Sequence, residues 1–390
     1  MNVRHIIQKG LQMVVVAALL AGCDMMKEDR DDCPTGLYVN FVYDYNMLGP
    51  GLVQQGKVNK NVDVFKDHVG YVKLYVFDES DRLVAQRAVS GDQLSVYGFN
   101  IHFTEQELAP DHQYRLTAIA MQTDWDEALS TQGAKYRKTE PAIGDSRQML
   151  SVSLDRDKEQ SPSEVNAEAP LDILWHTLQV MPAYAANQPV KTVHNEKDND
   201  NVETNGVETI TLHSGVPAYA TVSLIRDTKH LNITLGETGN GDVDYSDYEV
   251  YITDANGDVD YQNTVVTPTD MLVYRPYAMW NTPVENEGAH IGQTAHYDLM
   301  FNRLMYRANS ADNAQLCIHR ISDGVDVVKI DLPYLLLNGR KAFELFSYGA
   351  QEYLDREYDY SLHFYLSGDQ WVSVVIYPLS WAVRKQYEEF

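Results

Sequence analysis

Cys23 is the residue whose chemistry is easiest to name. It closes the run Leu19-Leu20-Ala21-Gly22-Cys23, behind an almost wholly apolar segment from Leu11 to Leu20 and a basic opening with Arg4 and Lys9. A basic start, an apolar stretch and small residues at its end form a secretory signal. The apolar run falls short of the roughly 20 residues that a membrane span needs. A thiol directly after Ala-Gly fits a lipobox, in which the thiol takes a diacylglycerol and a peptidase then cuts between Gly22 and Cys23. The expectation is a signal peptide over residues 1–22 and a mature chain beginning at Cys23. Acyl chains would hold it on a membrane, each buried methylene contributing about 0.8 kcal/mol.

A second set of potential ligands lies far downstream. In DANGDVD the oxygen-bearing residues Asp254, Asn256, Asp258 and Asp260 alternate, and hard oxygen ligands can hold calcium. The glycine follows the second ligand position, whereas a calcium loop of the helix-loop-helix type has it at the sixth, and no glutamate closes the loop. Asn-Gly between strand-like runs is the stronger signal, for a hairpin. YEVYITDANGDVDY is therefore expected to turn at Asn256-Gly257, with calcium as the weaker reading. GETGNGD, Gly236 to Asp242, reads as a turn, since it lacks a phosphate-loop lysine and no helix pattern follows.

Other chemistry finds no foothold. The twelve histidines form no H-E-x-x-H, no C-x-x-C exists, and no G-x-S-x-G elbow appears. Carboxylates are too many for spacing to single out a glycosidase pair. No enzyme and no cofactor are expected. Cys33 and Cys317 could pair in an oxidising compartment, but they lie far apart in sequence and are read first as two unpaired thiols.

The formal charge of −25 becomes −27 once the signal removes Arg4 and Lys9 and no acid. A body this acidic repels nucleic acid and anionic lipid headgroups. The stretch after Cys23, with Lys27, Glu28, Asp29, Asp31 and Asp32, reads as an acidic tether over residues 23–35. It resembles the lysine-plus-acidic-pair tether signal of surface-exposed lipoproteins in Bacteroidetes-type bacteria, which implies display at the cell surface; the alternative is a flexible acidic spacer.

The elements behind these residues are strands. In LYVNFVYDY, Leu37, Val39, Phe41 and Tyr43 share one face, and Tyr38, Asn40, Val42 and Asp44 the other. YVKLYVF, SVYGFNIHF and QYRLTAIAM continue the pattern, bounded by Gly, Asn, Pro and Asp. Short strands at this spacing predict β-sandwiches. The clearest helix candidate is KAFELFSYGAQEYL, Lys341 to Leu354. Residues 154–170 read as a long loop and 191–206 as a linker, giving sandwiches over 36–190 and 207–390.

Several stretches together resemble the FimB-like fimbrial anchor family of Bacteroidetes-type bacteria. They are LLAGC, DDCPTGLYVNFVYDYN and VGYVKLYVFDESDRLV in the first half. In the second half they are SLIRDTKHLNITL, YEVYITDANGDVDYQN and VSVVIYPLSWAVRKQ. Their order is the specific signal, and they span most of the mature chain. The resemblance implies an all-β chain of two tandem transthyretin-like β-sandwich domains, lipid-anchored in the outer membrane at the base of type V pili. It implies pilin subunits as partners, joined by β-strand addition. Family pilins lose an N-terminal strand and open a groove; an anchor would keep its own, here Leu37 to Tyr45. The stretch Trp371 to Val383 reads either as a donor or docking strand or as an ordinary last core strand. The alternative function is a surface lipoprotein that binds glycans or acts as a stand-alone adhesin. Trp125, Trp175, Trp280, Trp371 and Trp381 would then be available to stack on sugars, although most are expected in cores.

Overall fold

The computed structural model describes residues 35–47, 63–182, 209–239, 241–266, 270–287, 289–342, 348–367 and 370–379. The signal peptide, the tether up to residue 34 and the linker 191–206 lie outside them. The chain is all-β, as expected, and its strands form four sheets in a sandwich-like arrangement.

The first sheet orders β3 (Leu83–Ser90), β2 (Tyr71–Phe77), β5 (Gln113–Met121), β9 (Leu174–Pro182), β11 (Pro217–Arg226), β1 (Gly36–Val42) and β4 (Ile101–Phe103). β10 (Ile210–Thr211) pairs with β5 as an eighth strand. The sheet curls until its ends meet: the Arg87 guanidinium on β3 donates to the His102 carbonyl on β4. Leu37, Val39, Val72, Leu74, Leu116, Trp175 and Val222 fill the interior.

Two five-stranded sheets face each other in the second half. One orders β16 (Ala278–Asn286), β17 (Ala289–Phe301), β12 (Lys229–Glu237), β20 (Asp359–Ser367) and β21 (Gln370–Pro378). The other orders β19 (Val325–Asp331), β18 (Gln315–Arg320), β13 (Tyr248–Asp254), β15 (Leu272–Tyr274) and β8 (Ser163–Glu164). Period-two sequence explains the core between them. Leu231, Ile233 and Leu235 of β12, Tyr297 and Leu299 of β17 and Ile252 of β13 point inward. The alternate residues His230, Asn232 and Thr234 point out. Each fully buried Leu, Ile or Phe contributes about 1.5–3 kcal/mol. A last sheet orders β14 (Asp258–Asp260), β7 (Ser151–Leu154) and β6 (Tyr136–Thr139).

The halves exchange strands. β10 and β11, which the linker reading places in the second sandwich, hydrogen-bond into the first sheet, β11 lying between β1 and β9. Residues 154–170, read as a loop, supply β8 to the β13 sheet by pairing with β15. β14 returns the exchange by pairing with β7.

Two further local expectations change. Asn256-Gly257 turns no hairpin, because β13 pairs with β15 and β18 and β14 pairs elsewhere. Neither residue adopts the positive φ that a two-residue hairpin turn requires. The Asn256 side chain is buried and donates to the Asn302 and Arg303 carbonyls at 3.1 and 3.0 Å. Tertiary hydrogen bonds thus override the local turn preference. The helix expected over 341–354 is instead two: Leu332–Ala342 and Ala350–Arg356. The first starts where Asp331 accepts from the Tyr334 amide at 2.8 Å, with Pro333 in its first turn. Of the aromatic residues in that stretch, Tyr353 is buried, whereas Phe343 and Phe346 fall outside the described residues.

Candidate functional site: a sealed first strand and an open sheet edge

β1 is an interior strand. It runs parallel to β11 over seven register positions and antiparallel to β4 over three. Its inward residues Leu37, Val39 and Phe41 are buried. Outward, Tyr38 stacks on His102 at 4.2 Å and on Tyr219 at 5.3 Å between ring centroids. The strand starts at the end of the sandwich beside Phe103 and Thr104 and then heads for the second half. Tyr43 packs edge-on against Trp175 inside the first core. Half-buried Tyr45 lies 3.9 Å beneath the Arg356 guanidinium. Met47 is already buried in the second core. Four residues carry the first strand from one core into the other.

They enter a buried, charged joint. β11 and β12 are linked through Arg226-Asp227-Thr228-Lys229, all nearly inaccessible. Asp227 accepts from the Asn263 amide at 2.6 Å and pairs with His176. Lys229 donates to the Asp355 and Glu357 carbonyls at 2.8 and 3.0 Å. Its burial pushes the ammonium pKa down to about 8. Arg303 grips both Asp355 oxygens, at 2.8 and 2.7 Å, and donates to the Asn263 carbonyl. Burial opposes the charged guanidinium, and the Asp355 carboxylate overrides it, so Arg303 stays protonated. Asp44 accepts from the Ser223 hydroxyl at 3.1 Å, and burial raises its pKa. Charges paired this way hold one arrangement, because removing either partner strands the other in low dielectric.

Unpaired sheet edges behave differently. β3 and β4 close on each other through Arg87. β19 carries Asp326, Lys329 and Asp331, and β6 carries Arg137 and Lys138. β8 and β14 are two and three residues long. β16 contains Pro283 and Glu285, with a register shift between Val284 and Glu285. Short edges, charges, prolines and bulges all discourage a foreign strand. β21 has none of the charges: QWVSVVIYP runs nine residues with its single proline at the end, though it too has a bulge, opposite Tyr365 and Leu366. Its inner face packs on the helix Leu332–Ala342, where a Cβ on Gly339 would come within 3.1 Å of Ile376. Its other side leaves Val372 56%, Val375 37% and Tyr377 38% exposed.

The residues singled out from the sequence fall in separate places. Gly22, Cys23 and Cys33 lie outside the described residues, and Cys317 is a buried free thiol. The calcium candidates are each engaged elsewhere. Asp254 is buried, with its pKa lifted to about 7 by burial and Arg307 at 3.8 Å drawing it back. Asn256 accepts from the Tyr274 hydroxyl, Asp258 is held by Arg156 at 2.7 Å, and Asp260 accepts from the Gln262 and Thr264 amides. Among the described residues no group of three or more His, Cys, Asp or Glu is placed to hold a metal. Trp125 and Trp175 fill cores, and Trp371 packs edge-on against Phe364. Trp280 is partly exposed, with one face stacked on His296 at 5.1 Å. Trp381 lies outside the described residues. The stretch Trp371–Pro378 pairs with β20 in its own sheet as the edge strand. Sequence reasoning missed the charged joint. Its signal was the near-continuous apolar run of β11 breaking into four polar residues and resuming at once in β12, which marks a crossing rather than a surface turn.

No curated protein matches the chain. Solved structures do, at identities that speak to the fold. A candidate adhesin from Bacteroides thetaiotaomicron superposes with a TM-score of 0.65 at 23% identity, covering 89% of this chain and 97% of that one. A candidate polysaccharide-binding protein from the same organism gives 0.63 at 24%, covering 88% and 96%. The fimbrial anchor protein Mfa2 from Porphyromonas gingivalis gives 0.52 at 15%, covering 88% and 97%. The family described as fimbrillin-A associated anchor proteins Mfa1 and Mfa2 matches residues 30–387. With that match spanning nearly the whole chain, and with a strand-rich fold shared with a fimbrial anchor, the protein belongs to the fimbrillin-A associated anchor family.

Proposed function

We propose that the chain is an outer-membrane lipoprotein that anchors or terminates a fimbrium at the cell surface and joins a pilin subunit by β-strand addition. Cleavage falls between Gly22 and Cys23, acyl chains on Cys23 hold the mature protein, and residues 23–35 are its tether. The role is structural, without catalysis.

The observation that carries this reading is the placement of β1. A subunit whose own first strand fills its groove accepts no strand there, as the base of a fibre requires. The route of that strand adds support. It begins at one end of the first sandwich and runs into the joint at the other. A tether preceding Thr35 would therefore leave the second sandwich on the side away from the membrane, toward the fibre.

The test compares wild type with Cys23→Ala in the native cells, separating outer membrane from medium and blotting for this protein and for pilin. The expected result is that the variant appears in the medium together with fimbriae. If it is released alone while fimbriae stay on the cells, the anchor reading fails.

A further inference from the structure

We propose that the outer face of the β16-β17-β12-β20-β21 sheet binds a neutral glycan chain from outside the cell, with Trp280 and Tyr365 as its stacking platforms. The inference is separate from the anchor role, since it needs neither fibre nor membrane. It uses the body of the sheet and neither of its edges.

Strand register lays the outward side chains of this sheet in rows. One row runs Trp280, His296, Thr234 and His363, and beside it run Thr294, Gly236 and Tyr365. These positions hold no carboxylate, lysine or arginine in a chain of formal charge −25. Burial pushes both His296 and His363 below the ordinary histidine value, and each lowers toward the neutral ring. In the following row Asp298 accepts from the Asn232 amide at 2.8 Å.

Trp280 is presented on this face and braced from below. It is 38% exposed, and one face of its ring lies flat on His296, at 5.1 Å between centroids and 8° between planes. His296 is in turn held by both ring nitrogens. The Thr294 hydroxyl donates to the Thr282 carbonyl at 3.3 Å, which leaves its oxygen to accept from Nε2 at 3.0 Å. The Thr234 hydroxyl donates to Nδ1 at 3.1 Å. A neutral imidazole has one donor and one acceptor, and here both are satisfied. Tyr365, 40% exposed, leans over Gly236, where a Cβ would come within 4.0 Å of its ring and 3.5 Å of the Thr294 methyl. The glycine thus permits a close approach in mid-strand. Both rings are fixed in place before any ligand arrives, which lowers the entropic cost of binding.

The chemistry of the occupant follows from this surface. An aromatic ring with a polar setting suits a partner that is apolar on one side and wet on the other. A hexose is such a partner, with a C–H face to stack and hydroxyls at its rim for the threonine hydroxyls and imidazoles between the platforms. Trp280 and Tyr365 stand three strands apart, roughly 14 Å at about 4.8 Å per strand, which fits a short run of sugars and not one ring. Charge decides the source. An acidic body repels the anionic sugars of an outer leaflet, and these rows offer them no cation.

The experiment applies the mature chain to an array of neutral glucans, galactans and mannans, with lipopolysaccharide from the native cells as the second arm. The expected result is binding to a neutral glycan, weakened about tenfold or more by Trp280→Ala with Tyr365→Ala at an equal thermal midpoint. Tyr97→Ala, at an exposed ring in the first half, is expected to bind as wild type does. Trp280→Phe keeps a ring to stack and is expected to retain more affinity than Trp280→Ala. If the alanine pair lowers the midpoint, Trp280→Ala against Trp280→Phe is read alone. Full binding by the alanine variants, or equal loss with Phe and Ala, overturns the site. Binding to lipopolysaccharide alone overturns the source. No binding by wild type overturns the proposal and leaves the anchor reading untouched.

Discussion

The joint and the β21 edge reverse the usual placement of charge. At the joint, Arg226, Asp227, Lys229, Arg303, Asp355 and Arg356 are sealed from water. At the edge, Val372, Val375 and Tyr377 face solvent without a charged neighbour on their own strand. Burying ions is costly, and a buried pair rarely adds net stability over a well-packed apolar one. What it does create is mutual dependence, because removing one partner strands the other charge in low dielectric. An exposed uncharged edge does the opposite, because its backbone groups can be satisfied by any strand of suitable shape. The comparison teaches where this molecule is committed and where it is left open. The crossing between its halves is fastened by paired buried charges, and among the described residues its last strand has one side unpaired.

The strongest way to break the comparison is at the joint. Asp355→Ala leaves the Arg303 guanidinium buried without its carboxylate, and the expected loss is about 3–5 kcal/mol in urea unfolding. Replacing both together, as Arg303→Met with Asp355→Leu, is expected to recover most of it. A double variant as unstable as the single one would mean that the pair itself, and not the stranded charge, carries the effect.

Met47→Ala comes next. It removes the side chain by which the first strand reaches the second core, and about 2–4 kcal/mol should go with it. Amide exchange along β1 should quicken in the same variant. Unchanged exchange would show that β1 is held within its own sheet alone.

A third test is by pH, just beyond the joint. Burial alone would lower the His230 pKa, but hydrogen bonds to Asp298 and Asp359 override it and raise it from 6.5 to about 9. The folded state therefore binds a proton that the unfolded state releases above pH 6.5. This stabilisation is complete below that pH and is lost as pH rises through about 9. For a ring about a quarter exposed the expected size is about 2 kcal/mol. His230→Gln should shrink the stability difference between pH 6 and pH 9.5 by that amount, and an unaltered profile would contradict the assignment. The smallest effect belongs to the edge: Val372→Lys with Val375→Lys should change stability by less than about 0.5 kcal/mol, since both side chains are exposed. A large loss there would place β21 among the committed parts.

Much of the fold was legible in the chain. Alternation in LYVNFVYDY, YVKLYVF and HLNITL predicts strands with a defined inner face, and Leu37, Val39, Phe41, Leu231 and Ile233 are where that alternation puts them. Pairing was not legible. Asn256-Gly257 carries a strong hairpin preference, yet Asn256 bonds to carbonyls 46 and 47 residues away. The acidic, proline-containing stretch after Leu154 looks like solvated loop, yet Ser163 and Glu164 complete a sheet more than 100 residues downstream.

The sequence by itself determined the signal-like opening with Cys23 at its end, the all-β character, the acidic body and the resemblance to fimbrial anchors. Each of these is a local or summed property, set by residue type and by a period of two. Only the tertiary structure decided that β11 lies in the first sheet, that Arg226 to Lys229 are buried, and that, among the described residues, Pro283 and Glu285 stand on one edge of a sheet whose other edge is the uncharged β21. Those outcomes depend on which strands meet. A strand's period says which face is buried, but nothing local says which neighbour will satisfy its backbone.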